Sequence, residues 1–161
     1  MTALSRTATR RPLYTVAERA RRDTSIWTRV QGVLAPVQFL AFAVSLVLVI
    51  RFLMTGIGYD AATLSILVKT AFLFLIMITG AIWEKAVFGQ YLFAPAFFWE
   101  DVFSFAVIAL HSLYLWALWT GSMSPLDMMF LALAAYAAYV INAAQFLWKL
   151  RQARLDLGAR E

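Results

Sequence analysis

The chain has 161 residues, of which 63% are hydrophobic and 14% charged, with a formal net charge of +5 and no cysteine. Such a balance lies outside the soluble range and places the chain in a bilayer. The lack of thiols excludes disulfides, thiolate metal sites, cysteine-ligated iron–sulfur clusters and haem attached through cysteine. His111, the one histidine, is too few for a bis-histidine haem or a multi-histidine di-iron site within a single chain.

Residues 1–13 are basic and read as a flexible tail. Thr15 and Glu18 stand at capping-box spacing, and Glu18 to Val30 contains no Gly or Pro, so a short cytoplasmic helix is expected there. It leads through Gly32 into the first of four charge-poor runs. About 20 helical residues cross the hydrocarbon, which predicts spans over about residues 30–51, 61–83, 99–120 and 126–148. Pro36 falls inside the first span, where a kink is expected. The stretch Thr55-Gly56-Ile57-Gly58-Tyr59-Asp60 and the stretch Gly121-Ser122-Met123-Ser124-Pro125 carry turn chemistry. Lys69 lies within the second span and reads as a snorkelling residue. Pro95 suits an early position of the third helix, which would set Glu100 and Asp101 one to two turns inside it, where water gives way to lipid.

Arg6, Arg10, Arg11, Arg19, Arg21, Arg22 and Arg29 precede the first span, and Lys149, Arg151, Arg154 and Arg160 follow the last. Both termini are therefore expected in the cytoplasm, which requires an even number of spans. The net positive charge is accounted for by topology and anionic lipid, with no need of nucleic acid as a partner. No signal peptide is visible in the first thirty or so residues. The expected fold is all-α: an integral membrane four-helix bundle with a short N-terminal cytoplasmic helix, forming a single membrane domain over residues 1–161.

The connection from Trp83 to Asp101 gathers three carboxylates, Glu84, Glu100 and Asp101, and seven aromatic side chains. Charge at the edge of a membrane protein marks a functional site by default, and aromatic surface beside acids suits a flat, poorly soluble substrate. The plainer alternative makes the acids interfacial anchors paired with Lys85 or the tail arginines, and the rings an aromatic belt, although Phe88, Tyr91, Phe93, Phe97, Phe98 and Trp99 are denser than a belt requires.

Glu100, Ser104, Val107, His111 and Leu118 share one helical face, with Glu100 and His111 about 16 Å apart, and Asp101 is turned about 100° from Glu100. His111 reads as a metal ligand or proton-transfer group, against the alternative of an interhelical hydrogen bond. Gln31, Gln38 and Ser45 form a stripe on the first span, and Asn142, Gln145 and Lys149 cluster on the fourth. Such residues join helices by hydrogen bonds, or at this depth line a water-holding cavity.

The runs Trp83-Glu84-Lys85, Phe88-Gly89-Gln90, Leu92-Phe93-Ala94-Pro95 and Phe97-Phe98-Trp99-Glu100-Asp101 resemble the 3-vinyl bacteriochlorophyllide hydratase family of bacteriochlorophyll biosynthesis. So do Gln31-Gly32-Val33-Leu34-Ala35-Pro36 and Tyr139-Val140-Ile141-Asn142-Ala143, and the resemblance covers roughly residues 12–155. It implies a hydro-lyase of photosynthesis that adds water to the vinyl group of chlorophyllide a or a bacteriochlorophyllide, in a bacterial inner (intracytoplasmic) membrane. Other bacteriochlorophyll biosynthesis enzymes become candidate partners. No separate cofactor is implied, since magnesium arrives within the substrate.

Such hydration needs a protonated carboxyl group to start it. Glu100 and Glu84 are the candidates, with Asp101 as the base that orients water. Phe98, Trp99, His111 and Asn142 are the expected substrate-binding residues, His111 as an axial ligand to the pigment's magnesium. The competing readings are a non-catalytic pigment carrier and a small membrane transporter. Small multidrug transporters place a glutamate mid-way along the first helix, where this chain has Gln38.

Overall fold

The computed structural model describes residues 13–158, with side chains through Leu155. Of the expected tail at 1–13, residues 1–12, with Arg6, Arg10 and Arg11, lie outside the described residues, as does the terminal Arg160, while Leu13 packs against the Tyr14 cluster. α1 spans Val16–Thr24 and opens on the expected capping box: Thr15 N–H donates to Glu18 Oε2 at 2.7 Å, and Glu18 N–H donates to Thr15 Oγ1 at 3.2 Å. The helix stops short of Val30 because Ser25 adopts an extended backbone. That residue N-caps the next helix, its hydroxyl accepting from Trp27 N–H at 3.2 Å.

The long helices are α2, Ile26–Thr55, α3, Tyr59–Phe88, α4, Phe98–Thr120, and α5, Pro125–Gly158. All four are long and apolar enough to cross a membrane. α2 runs on through Pro36. Each of the first, second and fourth spans extends beyond its charge-poor run, since a helix need not stop where lipid ends. Between α2 and α3 the chain turns on Gly56 and Gly58, with φ of 71° and 94°, a left-handed backbone that glycine adopts without penalty.

α2 lies along α3 and α4 along α5, and the two hairpins meet chiefly through α2 and α5. Phe42, Val49, Ile66, Tyr114, Met129 and Tyr136 form the core in the half nearer the two short turns. Phe39, Leu40, Val44 and Val47 face outward, as expected where lipid replaces water as the solvent. The other end of the bundle carries α1, the α3–α4 connection and the late turns of α5. There Arg21 Nε donates to the Val87 carbonyl at 2.8 Å, and the Lys149 ammonium donates to the Ala96 carbonyl. Both ends of the described chain thus lie on one side of the bundle, as four spans require.

α4 begins three residues after Pro95. Pro95 instead follows Ala94 in a turn closed by Phe97 N–H donating to the Ala94 carbonyl at 2.8 Å, the second position of a turn that proline favours. Glu100 and Asp101 consequently occupy the first turn of α4 rather than one to two turns inside it.

Candidate functional site: a buried carboxyl cluster at the α3–α4 connection

Glu84 in the last turns of α3 and Glu100 and Asp101 in the first turn of α4 are 4%, 6% and 4% exposed. Between them the backbone makes an unusual turn. Phe93 has a φ of 59°, alone among the described non-glycine residues in being positive. This conformation is sparsely populated for a bulky side chain and persists where surrounding contacts impose it. It aims two successive amides at two carboxyl groups: Phe93 N–H donates to Asp101 Oδ2 at 2.6 Å, and Ala94 N–H donates to Glu84 Oε2 at 3.2 Å. Glu84 and Asp101 thus meet across one turn of backbone, and two buried carboxyl groups brought together favour sharing a single proton.

Glu100 is turned away from this pair, as helical spacing predicts, and forms an ion pair with Lys149 at 2.5 Å. The anchoring alternative named Lys85 or the tail arginines as partners. Lys85 instead donates to the Gly89 carbonyl at 2.7 Å and lies over the Tyr91 ring. The cluster therefore divides into a carboxyl pair bound by one turn of backbone and a carboxylate held by a cation.

The aromatic rings divide as well. Tyr14, Trp83, Phe88, Phe97 and Phe146 pack inward against one another. Burial pushes the Tyr14 phenol above its ordinary pKa, against the pull of the Arg22 guanidinium 4.8 Å from its ring. Phe93, Phe98, Trp99 and Phe105 form an outward surface beside Asp101. Phe93 stacks on Phe105 at 5.6 Å and meets Phe98 at 5.7 Å, and Phe98 meets Trp99 edge-on at 5.5 Å.

His111 is not brought to this cluster, lying about 15 Å along α4 from Asp101. Its Nδ1 faces the Val107 carbonyl at 2.8 Å and therefore carries the hydrogen. Nε2 is left to accept from Lys69 Nζ at 2.5 Å. Lys69 does not snorkel. It is 0% exposed, because the imidazole and the faces of Tyr136 and Tyr139, 4.9 and 4.4 Å from its nitrogen, replace water around the ammonium. Asn142 is buried one turn from the carboxyls: its Nδ2 donates to Ser104 Oγ at 2.8 Å, which donates to the Glu100 carbonyl at 2.8 Å.

Among the described residues no three His, Cys, Asp or Glu side chains are grouped so as to hold a metal ion. Sequence reasoning did not find Lys149 as the partner of Glu100, although its seven-residue spacing from Asn142 put both on one face of α5. It also passed over Tyr14 and the left-handed Phe93, for which the sequence carries no signal.

Four membrane-length helices and a buried carboxyl cluster at one end of the bundle, flanked by exposed rings, define an all-α integral membrane protein. The 2-vinyl bacteriochlorophyllide hydratase family model matches residues 14–152, and the chain belongs to that family. The expected family is thus confirmed, with the vinyl position numbered 2 in this description. The chain is similar to a 2-vinyl bacteriochlorophyllide hydratase of Rhodobacter capsulatus, 71% identical over 94% of this chain and 88% of the relative. It is also similar to that of Cereibacter sphaeroides, 67% identical over 100% of both chains. No solved structure gives a significant match.

Proposed function

We propose that this chain is a hydro-lyase that adds water across the vinyl group of a bacteriochlorophyllide or of chlorophyllide a, leaving a 1-hydroxyethyl substituent. Family membership over most of the chain supports the reaction. The observation that carries the chemistry is the buried pair Glu84 and Asp101, held by two successive amides beside an exposed aromatic surface.

Protonation of the terminal vinyl carbon places a cation on the carbon next to the macrocycle, where the π-system spreads it. The carboxyl pair supplies that proton, and the backbone amides of Phe93 and Ala94 steady the charge left on it. Water then attacks the cation, forming the C–O bond, and its surplus proton returns to the carboxylate. No co-reactant is consumed. Glu100, held by Lys149, forms a polar wall beside the reacting carbon and is the alternative proton donor. Phe98 and Trp99, with Phe93 and Phe105, receive the flat pigment from the lipid. His111 has both ring nitrogens engaged within the bundle, so its support for the pigment is indirect, through α4. The carboxyl cluster and both chain ends face the cytoplasm of a bacterial inner membrane, which the basic residues flanking the spans support.

Incubation of the purified protein with the pigment in ¹⁸O-labelled water, without added nucleotide or flavin, tests the reading. A hydroxyethyl product carrying the label is expected. Pigment bound but unchanged would favour a carrier, and an unlabelled hydroxyl would exclude direct hydration.

A further inference from the structure

We propose that Gln38, Asn142 and Gln145 hold an ordered water inside the bundle, one turn from the carboxyl cluster, and that this water is the nucleophile of the reaction. The second half of this statement rests on the hydratase reading. Gln38 is 1% exposed and neither its amide oxygen nor its amide nitrogen has a partner. Asn142 is 7% exposed; its nitrogen is used on Ser104 while Oδ1 has no partner, and Gln145 Oε1 is likewise buried and unpaired.

Helix register puts these groups at one depth. The Phe42 ring meets Tyr139 at 5.1 Å, where α2 and α5 run antiparallel. Gln38 lies about 6 Å from Phe42 and Asn142 about 4.5 Å from Tyr139, both towards the carboxyl end. Gln145 follows Asn142 by three residues on the same face of α5, nearer Lys149. Buried amides are almost always satisfied, and where no protein group serves, a bound water with two to four polar partners does.

The available groups define how that water sits. Amide oxygens of Asn142 and Gln145 accept its two hydrogens, and the Gln38 amide completes the shell. Both O–H bonds then point into the protein, which raises the electron density on the oxygen and leaves a lone pair for the cation. Pigment approaches from the lipid, which carries almost no water, so an internal source separates the routes of the two reactants. In the step itself one C–O bond forms, and as the oxygen becomes positive one O–H bond turns from its amide acceptor to the carboxylate that gave up its own proton and breaks there.

Radiolytic hydroxyl labelling with mass spectrometry, on the full chain in nanodiscs, reads bound water directly. Labelling of the buried Phe42 ring and the half-buried Tyr139 ring is expected in the natural sequence and should be lost in Gln38→Met, a variant of similar volume whose folding is checked by thermal melting. In the same variant kcat should fall about tenfold with KM unchanged, the signature of an interaction made only in the transition state. In Asn142→Ala the opened space should admit methanol, raising the ratio of methoxyethyl to hydroxyethyl product. Unlabelled Phe42 and Tyr139 in the natural sequence would overturn the water site. Label lost in Gln38→Met with kcat unchanged, and the methanol ratio unchanged in Asn142→Ala, would overturn its role as nucleophile. Labelled rings in a protein that yields no hydroxyethyl pigment would confirm the water site while removing the hydratase reading and the nucleophile role together.

Discussion

At the scale of single residues the proposed reaction depends on which carboxyl gives up a proton. Glu84→Gln keeps the shape of the pair but removes the transferable proton, and turnover should fall about 10²–10⁴-fold with pigment binding retained, measured by product formation and by pigment absorption. Glu100→Gln should reduce turnover less, because its oxygen accepts from Lys149. An inactive Glu100→Gln with a fully active Glu84→Gln would move the donor to Glu100. The sequence drew attention to the acids, since three carboxylates at the edge of an apolar chain stand out. Their division into a pair and an ion pair was only half legible. The 100° turn between Glu100 and Asp101 followed from helical periodicity, whereas Glu84 meeting Asp101 depends on the Phe93 backbone and on the Ala94–Phe97 turn. Neither glycine nor asparagine marks that left-handed position, so tertiary contacts alone decide it.

At the scale of elements, the α1 cap was readable because its hydrogen bonds lie within four residues. Thr15→Ala should destabilise the seating of α1 on α3 by about 1 kcal/mol, seen as faster proteolysis at the α1–α2 junction. Lys69 was misjudged because α3 is apolar around its whole circumference, and its sequence does not say which face looks inward. The choice is made by His111 on α4 and Tyr136 and Tyr139 on α5. His111→Leu leaves the buried ammonium without its acceptor and should cost about 3 kcal/mol. The double variant Lys69→Leu/His111→Leu removes both partners and should recover most of that loss. Additive losses in thermal unfolding would show that the two side chains do not act as a pair.

At the scale of the whole molecule, four spans and their pairing into hairpins followed from charge-free length and two short turns. The closeness of α1, the α3–α4 connection and the end of α5 followed from an even number of spans. Which side of the membrane that end faces is tested by labelling, since the chain contains no cysteine of its own. Ala20→Cys and Gln90→Cys should react only with reagent admitted to the cytoplasm, and Ile57→Cys and Ser122→Cys with reagent in the periplasm. The reverse pattern would invert the topology.

In the proposed reaction a proton from the carboxyl cluster reaches the terminal vinyl carbon before water bonds to the carbon beside the ring. Turnover of the pigment in D₂O, followed by mass spectrometry and NMR of the product, measures this directly. One deuterium in the new methyl group and the oxygen on the ring-adjacent carbon are expected. A hydroxyl on the terminal carbon, or a methyl group without deuterium, would contradict it.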